Sequence, residues 1–285
     1  MNTAYTIRRM QPEDLIFAAA RTFAEGWQGE TIFELAGSYQ HDPDGCFIAE
    51  IDGDPVGMCF GVAYDTFGFL GGLIVLPEVR GQGIGRGLLE HTTAYLEGRG
   101  LKSVFLDGVP RAVSMYERCG FQKVCRSLRF QGQPVARAHP HVEPMQPEHL
   151  EEVCRLDRAA FGANRATFLQ TRLRRYPSLC KVALVDGHVE GYIMGRIGHT
   201  VLACGPWIAS PRLERPADLL EALAYEHPLL PFSMGCLEDN AQAAPLVRSL
   251  GLVEKASCSW RMVHGQFCQP GVVGLNFAVG SPAKG

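Results

Sequence analysis

A chain of 285 residues, 46% hydrophobic and 20% charged, can bury a full core and is long enough for one large or two ordinary domains. Its formal charge of −3 supplies no basic field for nucleic acid. The local run Arg172, Arg174, Arg175 sits at helical spacing beside Leu169, Leu173 and Tyr176, as the wet face of an amphipathic helix does. The uncharged stretch 265–283 is interrupted by Pro270, Pro282 and several glycines, which excludes a continuous membrane-spanning helix there.

In chain order, residues 5–9 read as a strand, and Pro12-Glu13 opens an acidic helix start that runs to about residue 25, as the helix dipole favours. Residues 46–51 and 55–64 are two strands joined by Asp52-Gly53, a strong hairpin signal. Along the second, Val56, Met58, Phe60, Val62 and Tyr64 alternate with Gly57, Cys59, Gly61 and Ala63, so one face is bulky and the other small. Residues 69–75 give another strand, and 84–99 a helix with Ile84, Leu88, Leu89, Tyr95 and Leu96 inward. Residues 103–107 make a further strand, followed by a short helix that ends near Cys119-Gly120 and a last strand from Phe121. A hairpin followed by a β-α-β unit implies an α+β fold, a mixed and mostly antiparallel sheet flanked by helices.

The chain also repeats itself. Met10-Gln-Pro-Glu13 is echoed by Met145-Gln-Pro-Glu148, the run Cys46 to Gly53 by Cys180 to Gly187, Gly57 by Gly191, Gly72 to Pro77 by Gly205 to Pro211, and Gly120 by Gly251. A near-constant offset over separate blocks means two copies of one domain. The expected division is residues 1–130, a polar linker 131–141 that contains Pro134 and Pro140, a second copy 142–268 and an extended tail 269–285 packed on the body. Ten cysteines, none in Cys-x-x-Cys, read as buried reduced thiols. Together with an N-terminal run that lacks the apolar core of a signal peptide, they point to the cytoplasm.

The stretch Val79-Arg-Gly-Gln-Gly-Ile-Gly-Arg-Gly87 puts four glycines at alternate positions before a helix. Backbone N–H groups and the positive end of a helix converge there on an anion. Glycine lets the backbone touch it. No Lys-Ser/Thr follows, which excludes a P-loop, and a spacing of two with Leu88 in the later frame excludes a dinucleotide fingerprint.

Arg80-Gly-Gln-Gly83-Ile-Gly85, behind the strand Leu73-Ile-Val-Leu-Pro77, resembles the Arg/Gln-x-x-Gly-x-Gly/Ala pyrophosphate motif of the GNAT superfamily of N-acetyltransferases. Met115-Tyr116-Glu-Arg-Cys-Gly120-Phe121 is similar to the family's Tyr-x-x-x-Gly-Phe element. The resemblance implies two tandem acyl-CoA N-acyltransferase domains, with acetyl-CoA as cosubstrate and no metal. It implies that Leu73, Ile74 and Val75 offer backbone hydrogen bonds to the pantetheine arm. Arg80, Gly81, Gln82, Gly83, Ile84, Gly85 and Arg86 would hold the pyrophosphate. Tyr116 would be the catalytic proton donor to the departing thiolate. Val109 stands where many members carry a pantetheine-binding Asn. The segment after the first helix walls the acceptor site in the family, which makes Trp27, Gln28 and Glu30 candidate substrate-binding residues, with Glu25 beside them.

In the second copy Pro211 is followed by Arg212-Leu-Glu-Arg-Pro216 without glycine, and Val247 stands where Tyr116 is expected, although Asn240 keeps the family's Asn. This copy resembles the degenerate C-terminal halves of two-domain bacterial members. It is expected to shape or close the acceptor pocket and to pack as a second subunit does in dimeric relatives. His139, His141 and His149 have no Cys or carboxylate at ligand spacing in the sequence and read as solvent-exposed. The reaction implied is direct attack of a small primary amine on the thioester, in a monomer or homodimer with no nucleic-acid or membrane partner. The alternatives are a non-catalytic acyl-CoA or amino-acid sensor, and a protein amine as acceptor.

Overall fold

The structure, a computed structural model, describes residues 4–256 and 258–285; Met1 to Thr3 of the leader reading lie outside the described residues. The first half runs β1 (Thr6–Arg9), α1 (Asp14–Ala24), α2 (Ile32–His41), β2 (Cys46–Ile51), β3 (Asp54–Ala63), β4 (Gly68–Val75), α3 (Ile84–Gly98), β5 (Ser103–Gly108), α4 (Val113–Arg118) and β6 (Gln122–Gly132). The second repeats the order as β7 (Val142–Pro144), α5 (Leu150–Phe161), α6 (Ala166–Arg175), β8 (Cys180–Val185), β9 (His188–Ile197), β10 (Leu202–Ala209), α7 (Ala217–Glu226), β11 (Phe232–Leu237), α8 (Ala243–Ser249), β12 (Val253–Glu254) and β13 (Ser259–Gly265). One more short strand, β14 (Asn276–Ala278), follows.

All fourteen strands form one sheet in the order β1-β2-β3-β4-β5-β13-β6-β11-β10-β9-β8-β7, with β12 against β6 and β14 against β10. The last strand of each half lies in the other. β13 pairs with β5 and β6 pairs with β11, while β6 and β13 pair with each other in the middle. The halves therefore share backbone hydrogen bonds as well as side-chain contacts.

Local sequence explains the repeat. Asp52 and Gly53 have φ of 51° and 89°, and Asp186 and Gly187 have 52° and 79°, the left-handed pair that a two-residue hairpin turn needs. On β3 the small face receives α3. A Cβ on Gly57 would lie 3.0 Å from the Leu88 side chain and one on Gly61 2.8 Å from Thr92. Its bulky residues Met58 and Phe60 pack instead with Leu35 of α2 and Ala18 of α1.

Two features depart from the sequence reading. Helix α2 was not anticipated between the first helix and β2. The Arg172, Arg174, Arg175 run is not uniformly wet: Arg172 is buried, donating from Nη2 to Glu34 Oε2 at 2.7 Å and from Nη1 to the Gly205 carbonyl at 3.0 Å. Lys284 Nζ and Arg196 Nε lie 3.3 and 3.8 Å from the same Glu34 carboxylate. Burial opposes this charge, but Arg172, Lys284 and Arg196 together hold the carboxyl well below the usual range. This cluster joins α2 of the first half to α6, β9 and the tail.

Candidate active site

The site begins where two neighbouring strands part. β4 and β5 pair in parallel only from Gly68↔Val104 to Leu70↔Leu106. Beyond that point β4 bulges against β3, where its register shifts between Met58 and Phe60, and Gly72 takes a φ of 62°. Residues 71–75 thus turn an unpaired backbone edge away from β3 and into the gap.

At the end of β4 the chain turns into α3. Gly81 and Gly83 have φ of 81° and 85°, with nothing within 4 Å of a Cβ at either position. Their backbone conformation, rather than crowding, requires glycine. Gly83 caps α3, so the first-turn N–H groups lack intrahelical partners and point outward with the positive helix end. Gly87 does a different job, because its missing Cβ makes room for the Tyr5 hydroxyl.

Gap and turn open into one cleft of about 1090 Å³. Of the residues expected from sequence, Leu73, Ile74, Val75, Arg80, Gly81, Gly83, Ile84, Gly85, Arg86, Tyr116, Trp27, Gln28 and Glu30 all line it. Gln82 does not; its Oε1 is buried without a partner. Tyr116 on α4 is 6% exposed, its ring against Gly108 and edge-on to Phe121. Burial pushes its phenol up from the ordinary value, so it keeps a proton to give.

Glu25 is no free base. It accepts from Arg80 Nη2 at 2.5 Å and from Arg111. Burial works against its charge, yet hydrogen bonds from Arg111 and then Arg80 hold it below its normal value. Arg80 also donates from Nε to the Val75 carbonyl at 2.9 Å, which fixes it at the mouth of the cleft. Asp107 is buried and likewise held ionised against desolvation by Arg261 and Arg129, with Ser127 Oγ donating at 2.8 Å. Gln28 accepts from Thr200 Oγ1 at 2.9 Å, and Glu30 from Ser281 Oγ at 2.6 Å and Arg196 Nη2 at 3.2 Å. The α1–α2 segment is thereby stapled to the second half.

Sequence reasoning missed the far wall, which comes from Arg129 of β6 and from the second half: Arg196, Ser233, Lys255, Ser259 and residues 279–283. The exchange of β6 and β13 carries Arg129, Ser259 and the neighbouring Lys255 to the cleft, while β9, β11 and the tail supply the rest. Only the repeat hinted at them.

The second half makes the same gap and closes it. β10 and β11 pair from Leu202↔Phe232 to Cys204↔Met234 and then part. Into the gap runs β14, antiparallel to β10 at Trp207↔Ala278, and the Val279 N–H donates to the Gly235 carbonyl at 2.8 Å. Asn240 Nδ2 donates to the carbonyl of Asn276 at 2.9 Å. At the entrance of α7, Leu213 is buried, and Arg212 is tied to Glu190 and Asp186 at 2.7 and 3.0 Å. Side chains fill the place of the glycine cradle.

Comparison with known proteins agrees with this architecture. Residues 13–121 match a family model described as acetyltransferase (GNAT) family, and residues 153–270 match one described as acetyltransferase (GNAT) domain. A putative acetyltransferase from Pyrococcus horikoshii superposes with TM-score 0.82 at 21% identity, over 99% of this chain and 96% of that one. A GCN5-related N-acetyltransferase from Sphaerobacter thermophilus gives 0.63 at 16% identity, covering 94% and 97%. A tandem GNAT protein from the clavulanic acid biosynthesis pathway gives 0.64 at 14% identity, covering 93% and 100%. No curated protein matches the sequence significantly. The chain is a tandem GNAT protein, with a GNAT domain in each half.

Proposed function

We propose that the protein is an acetyl-CoA-dependent N-acetyltransferase that acylates a primary amine of a small molecule at a single site in the first half. The observation that carries this reading is convergence: the left-handed Gly81/Gly83 turn, the unpaired edge 71–75 of β4 and the protonated Tyr116 all open into one cleft.

The residues suit the group they would hold. The first-turn amides of α3 and Arg86 would hold a pyrophosphate, and the backbone of Leu73 to Val75 can hydrogen-bond an amide-bearing arm as a neighbouring strand would. The bound thioester supplies the activated acyl group. A free amine has a pKa of about 10 and must reach the carbonyl unprotonated, while the thiol it displaces has a pKa of about 8.5. Tyr116 donates the proton that makes the thiol the leaving group. Glu25 and Asp107, both held ionised by arginines, are ill-suited to take the amine's proton, which passes to solvent in the cleft.

A small acceptor fits because the far end is walled by Trp27, Arg196 and residues 279–283. The wall carries an excess of cations: Arg129 shares the single carboxylate of Asp107 with Arg261, and Lys255, whose backbone N–H donates to the Arg129 carbonyl at 2.8 Å, lies beside it on the cleft. An amine that also bears an acidic group suits it best. The ten cysteines are all free thiols, which supports the cytoplasm as its compartment. A panel of amines, with amino acids set against their amides, assayed by release of free CoA thiol tests the proposal. Turnover of the acidic members is expected, and no thiol release across the panel would count against the enzyme.

A further inference from the structure

Outside the cleft, the sequence motif left without a role is the linker pair His139 and His141. The structure departs from the solvent-exposed reading at His139, whose side chain is 15% exposed, and agrees with it at His141, 40% exposed; carboxylates distant in sequence face both rings. Asp218 and Glu221, three apart on the first turns of α7, therefore share one helix face. His139 and His141 lie in a turn closed by the Val142 N–H, which donates to the His139 carbonyl at 3.0 Å, and both rings meet these carboxylates.

The ligand atoms converge. His139 Nε2 is 2.8 Å from Glu221 Oε2 and 3.7 Å from Asp218 Oδ1, and His141 Nε2 is 3.1 Å from Asp218 Oδ2. Ligands of a tetrahedral ion at 2.0–2.2 Å stand about 3.4 Å apart, and these separations bracket that value. Asp218 and Glu221 are 2% and 4% exposed, and among the described residues the one formal cation on them is Arg215, its Nε 3.0 Å from Asp218 Oδ1. Two carboxylates removed from water against one largely exposed arginine leave negative charge for the imidazoles or a bound cation to balance. Arg215 also orients the Asp218 carboxylate, as an outer-shell donor does at a metal centre.

We propose that His139, Asp218 and Glu221 bind one zinc ion that clamps the linker to α7, with the more exposed His141 beside them on Asp218. A ligand set that includes an imidazole beside two carboxylates suits zinc better than magnesium or calcium, which prefer all-oxygen shells. The ion lies on the linker and α7, away from the residues that line the cleft, so its role is to fix the linker on the second half.

The test uses the full chain after dialysis against chelator. Zinc is expected to bind at one equivalent per chain and to raise the melting temperature. Cobalt in its place is expected to give the visible bands of a tetrahedral nitrogen and oxygen site without the thiolate charge-transfer band that a cysteine site would show. The double variant His139→Gln, His141→Gln is expected to bind zinc at least a hundredfold more weakly. No stoichiometric uptake, a thiolate band, or unchanged affinity in the double variant would overturn the site. The cobalt spectrum of the wild type decides the matter even if the variant does not fold.

Discussion

Both halves part their fourth and fifth strands after three paired positions, yet one gap is a cleft and the other is filled by the chain's own backbone. In the second half β14 lies along β10, and Asn240 donates to the tail carbonyl of Asn276. The fold supplies an unpaired strand edge wherever the strands separate, and that edge must be satisfied by ligand, water or chain. The half without a glycine cradle holds a resident strand in its gap. The same segment, after leaving the second gap, runs on to wall the first: residues 279–283 line the cleft, Ala283 lies against Gly71, and the Tyr64 hydroxyl donates to the Lys284 carbonyl at 2.7 Å.

The contrast can be broken at several points. The largest effect is expected where the halves are joined, at Glu34. Glu34→Gln strands Arg172, Arg196 and Lys284 around a neutral group, and loss of one partner from a buried ion cluster costs about 3–5 kcal/mol, read as a lower denaturation midpoint. Its pH dependence has a definite sign. The folded-state pKa is depressed below the ordinary 4.5, so the stabilisation is complete above about pH 4.5 and is lost as pH falls below it. Between pH 5 and pH 3 the wild type should lose more stability than Glu34→Gln; an equal loss would remove Glu34 from the account.

A somewhat smaller change is expected at Tyr116. Tyr116→Phe should lower kcat roughly 10²-fold with the acetyl-CoA KM little changed, whereas Val247→Ala at the matching place in the second half should leave kcat alone. Because the phenol is raised above its ordinary value of 10, the wild type should show no alkaline fall in kcat from this group below pH 10. A full rate in the phenylalanine variant would strike out the proton donor. The smallest effect sharpens the tail comparison: Asn240→Ala removes hydrogen bonds to the segment that fills the second gap. It should cost about 1 kcal/mol and speed amide exchange at Asn276 to Val279 more than elsewhere.

The periodic elements and glycine signals were legible because local physics fixes them. The Asp-Gly turns, the small face of β3 that receives α3, and the left-handed Gly81 and Gly83 are properties of a few adjacent residues. Helix α2 was missed because Ile32–His41 shows a weaker apolar stripe, with Ile32 and Phe33 partly exposed. The far wall of the cleft was not readable for another reason. Arg129, Lys255 and Ser259 reach the site only through the exchange of β6 and β13, and no local pattern distinguishes a strand that pairs within its own half from one that crosses. Arg172 and His139 misled in the same way, since a polar residue looks solvated until its buried partner, here Glu34, or Asp218 and Glu221, is brought from far along the chain.

Calorimetric titration of the full chain with acetyl-CoA tests the central claim, that one gap binds and the other is filled. The account predicts one equivalent bound per chain, abolished by Gly83→Glu, which forces a side chain and a negative charge into the left-handed turn, and unaffected by Arg212→Ala at the entrance of α7. Two equivalents per chain, or binding that survives Gly83→Glu, would contradict it.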